Sequence, residues 1–147
     1  MTMSVLRPAA RQDISGMHRV RLAVRENRLT TTMISEADYL PAIETIGRGW
    51  VVERGGEIIA FTIGNRETGS IWALFVDPRH EGQGYGKRLH GSVVTWLWSQ
   101  GWDHLWLTTE PGTRAQGFYE SLGWEHAGYN KHGEIRFELS RPASSVS

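Results

Sequence analysis

The fold of this chain is decided by the stretch VDPRHEGQGYGKRL, residues 76–89. An apolar run of strand character ends at Asp77-Pro78, three glycines alternate with other residues, and a helical pattern follows directly. The first amides of a helix lack intrahelical acceptors and carry the positive end of the helix dipole. Glycines let an anion approach that backbone closely, and Lys87 and Arg88 add positive charge. The stretch therefore predicts a cradle for a diphosphate.

Two other phosphate-binding motifs do not fit this stretch. A P-loop needs a glycine five residues before Gly86 and a Ser or Thr after the lysine, whereas this chain has Glu81 and Arg88 there. The dinucleotide fingerprint G-x-G-x-x-G also fails, since its last glycine would fall on Lys87 or on Leu89. These spacings argue against a nucleotide phosphotransferase and against a dinucleotide-binding fold.

Hydrophobic periodicity predicts strands and helices on both sides of the loop. Gly55-Gly56 between two apolar runs predicts a two-residue hairpin, because both turn positions can take positive φ. The predicted order is β-α-α-β-β-β-α-β-α-β-β, a mixed, mostly antiparallel twisted sheet flanked by helices, of the α/β (α+β) class. The predicted strands are 4–8, 50–54, 57–66, 71–76, 104–109, 124–130 and 134–140. Four helices are predicted: one capped by Asp13, a short one that begins at the capping box of Ser35 and Asp38, and two at 84–100 and 114–124. Strand 104–109 is expected to pair in parallel with strand 71–76.

The 147 residues predict a single domain, structured over about 3–140, with a flexible tail at 141–147. Sixteen basic residues balance sixteen acidic ones, so we expect neither nucleic acid nor a membrane surface as a partner. No apolar run approaches the length of a membrane span, and the N-terminus lacks a signal-peptide pattern. A cytoplasmic protein is therefore expected.

Metal chemistry is not predicted either. The chain has no cysteine, and its six histidines show no metal-ligand spacing, so neither a thiolate site nor a histidine site is expected. His80 and His90 are expected to face solvent or to cap helices. The seven tryptophans are expected to pack in the core, because most of them fall on apolar faces.

The segment LFVDPRHEGQGYGKRL (74–89) resembles the coenzyme A loop of the GNAT-type N-acetyltransferases, written Q/R-x-x-G-x-G/A, with Glu81 in the Gln/Arg place. The segment RAQGFYESLGW (114–124) is similar to the second signature of that family, with Ala115, Phe118, Tyr119, Gly123 and Trp124 in register. Gly112 stands where the family often has an asparagine. The predicted element order matches the family over about residues 3–140.

This resemblance implies an enzyme that transfers an acetyl group from acetyl-CoA, as a cosubstrate, to a primary amine without a metal. Strands 71–76 and 104–109 would splay apart to form a wedge for the cofactor, and Tyr119 would be the general acid that protonates the leaving thiolate. The implied cofactor-binding residues are Leu74, Phe75, Val76, Glu81, Gly82, Gln83, Gly84, Tyr85, Gly86, Lys87, Ala115 and Phe118.

The base that deprotonates the amine is left open between Glu110, which follows strand 104–109, and Glu26, which follows the first helix. The acceptor is a small-molecule or a peptide amine, and dimers common in the family leave a homodimer open. Without a cysteine nucleophile, direct attack in a ternary complex is the expected route. The alternative is a non-catalytic module of the same fold that senses acyl-CoA or binds a partner.

Overall fold

The computed structural model of the chain describes residues 3–24 and 34–143. Within these residues seven strands form one mixed sheet in the order β1-β2-β3-β4-β5-β7-β6, which confirms the predicted fold class. The strands are β1 (Ser4–Pro8), β2 (Gly47–Arg54), β3 (Glu57–Asn65), β4 (Ser70–Val76), β5 (His104–Thr109), β6 (Glu125–Tyr129) and β7 (Ile135–Ser140). The α-helices are α1 (Ile14–Ala23), α2 (Tyr39–Glu44), α3 (Tyr85–Ser99) and α4 (Arg114–Ser121).

The β2–β3 hairpin turns where the sequence predicts it. Gly55 and Gly56 both take positive φ, 58° and 80°, as a two-residue turn between right-twisted strands requires. β3 then pairs with β4 in antiparallel fashion, so the three strands form a meander. β2 starts at Gly47, earlier than predicted, because Gly47 and Arg48 pair with Asn65 and Gly64 of β3.

β4 and β5 are parallel neighbours that meet at one register pair, Ser70 with Trp106. Beyond that pair no further residues of the two strands are in register, which fits the wedge that the family resemblance implies. Two tryptophans hold its closed end: the indole Nε1 of Trp102 donates to the carbonyl of Arg66 at 2.7 Å, and that of Trp106 donates to the carbonyl of Thr68 at 3.0 Å. Part of the tryptophan content therefore serves to join β5 to the β3–β4 turn.

A hydrophobic core lies on each face of the sheet. α3 and α4 cover one face, where Leu89, Val93 and Leu97 of α3 are fully buried. α1 and α2 cover the other face with Met17, Val20 and Tyr39, each also fully buried. The helical spacing of these residues explains why the helices form and which side of each one is buried.

Asp13 is the N-cap residue of α1, as predicted, although its side chain makes no capping hydrogen bond to that helix. It ends a 3-10 turn at Arg11–Asp13 that leads into α1, and its carboxylate accepts from the backbone N–H of Ala10 at 2.8 Å. Arg7 on β1 donates to both of its oxygens, at 2.8 and 2.9 Å. The capping box of Ser35 and Asp38 is confirmed by the bond from the Ser35 N–H to the Asp38 carboxylate at 2.7 Å.

His90 neither faces solvent nor caps a helix, contrary to expectation. It is half-buried on α3 behind α4, and its Nε2 accepts from the indole Nε1 of Trp124 at 2.9 Å. That bond requires an unprotonated Nε2, and burial lowers the pKa of His90 to about 4. The imidazole is therefore neutral in the folded protein at neutral pH.

This burial predicts a specific acid sensitivity of the folded state. The unfolded chain takes up a proton at His90 below about pH 6.5, whereas the folded chain resists it until about pH 4. The contribution of this group to the free energy of unfolding is therefore expected to be complete above pH 6.5 and to fall by on the order of 3 kcal/mol between pH 6.5 and 4. Denaturant unfolding of His90→Gln, which keeps an acceptor for Trp124 but cannot titrate, should show a shallower fall over that range.

The matched control is His132→Gln, at an exposed position in the β6–β7 turn. Its free energy of unfolding should fall with pH as steeply as that of the wild type. An equally steep loss of stability in His90→Gln and in the wild type would contradict this account.

Candidate active site

A cleft of about 370 Å³ opens at the carboxyl end of β4, between the N-terminal ends of α3 and α4. It is lined by Leu74, Phe75 and Val76, the part of β4 that has no register pair with β5. Its walls are formed by Val24, Leu74, Phe75, Val76, His80, Glu81, Gly82, Gly84, Tyr85, Gly86, Lys87, Thr113, Arg114, Ala115, Phe118 and Tyr119.

The structure brings most of the sequence-predicted site residues into this one cleft. Gln83 and Glu110 are the exceptions, since neither is part of its walls. Glu26 lies outside the described residues. Sequence reasoning missed Val24, His80, Thr113 and Arg114. Thr113 had a detectable signal, because it is the N-cap of α4 and its Oγ1 accepts from the N–H of Gln116 at 3.3 Å.

A buried carboxylate holds the glycine loop in place. Asp77 is 3% exposed, and its own N–H donates to the carbonyl of Ile59 on β3 at 2.8 Å. Its carboxylate accepts from the backbone N–H of Arg79 at 3.0 Å and from the Arg79 guanidinium at 2.9 Å. These bonds to Arg79 hold the pKa of Asp77 below its usual value, so the carboxylate stays charged and the turn that leads into the loop stays formed.

The glycines of the loop have two different physical roles. Gly82 and Gly84 take positive φ, 77° and 85°, and a Cβ built on either would meet nothing within 4 Å. Their backbone therefore lies against open space at the N-terminus of α3, which fits an anionic group that approaches the amides closely. Gly86 has a packing role instead, because a Cβ there would lie 3.4 Å from the ring of Phe118.

Glu81, which departs from the family pattern, connects the two helix starts that border the cleft. Its Oε2 lies 3.2 Å from Nε of Arg114, the first residue of α4. The arginine side chain is 65% exposed, so this ion pair contributes little to stability. Its effect is to orient the Arg114 side chain at the mouth of the cleft.

Tyr119 lies in the wall of the cleft and is only 6% exposed. Edge contacts with Phe118 and Trp124, at ring-centroid distances of 5.2 and 5.7 Å, fix the orientation of its ring. Burial raises the pKa of Tyr119 above its ordinary value. The phenol therefore stays protonated at neutral pH and can donate its proton to an acceptor in the cleft.

In residues 3–24 and 34–143, no group of three or more metal-ligating side chains lies close enough to hold a metal ion. Over the same residues no helix is both long and apolar enough to cross a lipid bilayer. The walls of the cleft carry backbone amides of the glycine loop, the phenol of Tyr119 and the charged side chains of Glu81, Lys87 and Arg114.

Comparison with known proteins gives matches in sequence and in structure. The profile described as Acetyltransferase (GNAT) family matches residues 7–124. A [ribosomal protein bS18]-alanine N-acetyltransferase from Haemophilus ducreyi is 33% identical over 78 residues, which is 51% of this chain and 54% of that protein. The match therefore spans about half the length of this curated relative.

Among solved structures, the ribosomal-protein-S18-alanine N-acetyltransferase of Escherichia coli superposes with a TM-score of 0.76 at 20% identity, covering 99% of both chains. The PaiA N-acetyltransferase of Thermoplasma acidophilum, in complex with coenzyme A, superposes with a TM-score of 0.77 at 14% identity. That superposition covers 94% of this chain and 99% of the other. At these identities the structural matches establish the fold.

The geometry of the glycine loop predicts that Gly84→Ala weakens binding of coenzyme A by roughly an order of magnitude. The new Cβ would occupy the open space beside the amides, where a phosphate has to approach. Gly101→Ala is the matched control: Gly101 ends α3, takes a φ of 97°, also faces open space and is not part of the cleft wall. Both variants should lose about 1–2 kcal/mol of stability to backbone strain, but titration calorimetry should show weaker binding for Gly84→Ala alone. Equal affinity in the two variants would contradict this role for the loop.

Proposed function

The chain belongs to the GNAT family of acetyltransferases, and on that premise we propose that it transfers an acetyl group from acetyl-CoA to a primary amine. One observation carries the proposal. The glycine loop at the start of α3 and the buried phenol of Tyr119 open into the same cleft, beside the free edge of β4. A diphosphate cradle and a proton donor are thereby combined in one site.

The residues present fit coenzyme A. The amides at the start of α3 and the side chain of Lys87 would hold its diphosphate, since both offer positive charge at the cleft. The segment Leu74–Phe75–Val76 has no register pair with β5, so its backbone groups on that side are available to an extended pantetheine arm. Ala115 and Phe118 of α4 would line the opposite wall.

Acetyl-CoA would supply the thioester carbon on which the new C–N bond forms as the C–S bond breaks. Tyr119 would donate its phenolic proton to the departing sulfur, whose thiol has an ordinary pKa near ~8.5. The raised pKa of Tyr119 keeps the donor protonated through the neutral range, although it also makes complete transfer of the proton less favourable. Its contribution therefore lies in a hydrogen bond that strengthens as negative charge develops on sulfur.

The amine must lose a proton before or during its attack, and an alkyl ammonium has a pKa near ~10.4. Glu110 directly follows β5, is half-buried and lies outside the wall of the cleft, while its main-chain carbonyl accepts from Thr113 Oγ1 at 2.8 Å. Its carboxylate would therefore act on the amine through an intervening water. Glu110 and Glu26 both remain candidates for the base. The homodimer and the cytoplasmic location also stay predictions.

Tyr119→Phe is expected to lower kcat by roughly a hundredfold with little change in the KM for acetyl-CoA, because it removes the proton donor and keeps the ring packing. Tyr129→Phe is the control, since Tyr129 is 65% exposed on β6 and loses the same hydroxyl. Steady-state release of CoA thiol measures both variants. An unchanged kcat in a folded Tyr119→Phe protein would remove Tyr119 from the mechanism.

The proposed activity is tested by thiol release from acetyl-CoA over a panel of alkylamines, amino acids, aminoglycosides and peptides, including a peptide that begins with alanine. We expect amine-dependent release with at least one class of acceptor, and no stable acetyl-enzyme when the amine is omitted, since the chain has no cysteine. Tight binding of coenzyme A without release for any amine would favour the non-catalytic sensing module.

A further inference from the structure

Arg21 is a buried cation with unused hydrogen-bonding capacity. It lies in the last turn of α1 and is 2% exposed, yet its Nε and Nη2 atoms have no hydrogen-bond partner. Nor does Arg21 form an ion pair within the part of the chain that the structure describes. A buried guanidinium normally has its N–H groups satisfied by an anion or by carbonyls, because leaving a donor unpaired costs about 1–3 kcal/mol.

Three aromatic rings surround this guanidinium. Its central carbon lies 4.7 Å from the ring centroid of Trp72, 4.9 Å from that of Phe75 and 5.6 Å from that of Tyr39. A bulge in β4, between the pairs of Ile71 and Ala73 with β3, lets Trp72 and Phe75 both face α1. Ring faces attract a cation and exclude water, but they do not accept its N–H groups as an anion would.

The surroundings compensate the positive charge only in part. Burial lowers the pKa of Arg21, while the neighbouring Tyr39, through its charge and a side-chain hydrogen bond, and Asp38, through its charge, only partly oppose that shift. The Tyr39 hydroxyl also contacts Nδ1 of His18 at 3.1 Å. The guanidinium stays charged at neutral pH, because an arginine retains its proton even when buried.

The guanidinium is one side chain away from the cleft. Phe75, which stacks on it, is also a wall residue of the cleft, and so is Val24, three residues after Arg21. Arg21 thus lies on the α1 face of β4, whereas the glycine loop leads into α3 on the opposite face. Phe75 thus separates Arg21 from the cleft, so a ligand in the cleft can reach the guanidinium only if the Phe75 ring moves aside.

The unpartnered atoms define which anion fits. Nε and Nη2 form one edge of the guanidinium, and their N–H groups point in the same direction, at the spacing of two carboxylate oxygens. The same edge of Arg11 binds the Glu44 carboxylate in this chain, with Nε at 3.2 Å and Nη2 at 2.8 Å from its two oxygens. A carboxylate is therefore the matching ligand for Arg21.

We propose that Arg21 is a specificity-determining residue that binds a carboxylate of the acceptor, so that the acceptors of this enzyme are amines carrying a free carboxylate, as in amino acids. This inference rests on the proposed acetyltransferase function, since it names the acceptor class of the same cleft. Arg21 binds the acceptor and takes no part in the proton transfers. Its removal should therefore change which amine is used, leaving the Tyr119 step intact.

The test compares each of several amino acids with its own carboxamide as acceptor, in the wild type and in Arg21→Met and Arg21→Lys. We expect the wild type to prefer the acid by roughly ten- to a hundredfold in kcat/KM, which is the range of a charge-assisted bidentate bond. Arg21→Met should lose this preference through KM, and Arg21→Lys should retain part of it. Because each acid-to-amide ratio is compared between variants, differences in amine reactivity cancel.

Arg11→Gln, which removes a surface arginine paired with Glu44, is the control and should keep the wild-type preference. A second measurement does not depend on turnover: N-acetyl amino acids should raise the Tm of the wild type in the presence of coenzyme A more than their carboxamides do. Arg21→Met should show no such difference.

The outcomes separate this inference from the proposed function. Turnover with amines but an equal acid-to-amide ratio in wild type and Arg21→Met would overturn the role of Arg21 and leave the acetyltransferase standing. The role of Arg21 would also be overturned, and the acetyltransferase activity kept, if the peptide that begins with alanine were a better acceptor than the free amino acids in both wild type and Arg21→Met. No turnover with any amine, together with a carboxylate-dependent Tm shift lost in Arg21→Met, would reject the activity and keep the site. If neither the acid-to-amide preference nor the Tm shift depends on Arg21, the residue only packs against the rings of Tyr39, Trp72 and Phe75.

Discussion

The single register pair between β4 and β5 is the constraint on which the rest of this structure depends. Parallel neighbours usually hydrogen-bond along their length, but these two meet only where Ser70 faces Trp106. The indoles of Trp102 and Trp106 close one end of the sheet by donating to the β3–β4 turn. The other end is therefore free to open, and the cleft, the unpaired edge of β4 and the approach to Tyr119 all lie there.

The glycine loop uses that opening. Asp77 fixes the end of β4 through bonds to Arg79 and to the β3 backbone, and the positive φ of Gly82 and Gly84 then turns the chain into α3. As a result the N-terminus of α3 faces the cleft with its free amides. A phosphate-binding backbone is thus placed beside a strand edge that can pair with an extended ligand, which gives a cofactor two kinds of contact from one short segment.

Much of this fold could be predicted from local patterns, and the exceptions have a common cause. The Gly55-Gly56 hairpin, the strand before the loop and the helix after it depend on residues adjacent in the chain, and they lie where expected. His90 was misjudged because its partner Trp124 lies 34 residues away, so helical spacing could not show that the imidazole would be covered. Glu110 directly follows β5, as its place in the sequence indicates, but it is not part of the cleft wall, and its role as the base stays a prediction.

By itself, the amino-acid sequence determined the order of elements and the glycine loop, because both depend on local features of a few residues. These features are the periodic spacing of apolar residues, the residues that favour turns and the glycines that can take positive φ. Only the tertiary structure decided the partner of Glu81, the bonds of Trp102 and Trp106, and the enclosure of Arg21 by Trp72 and Phe75. Those contacts join residues 33 to 54 positions apart in the chain. Their geometry follows from how helices dock on a twisted, bulged sheet, which no local spacing encodes.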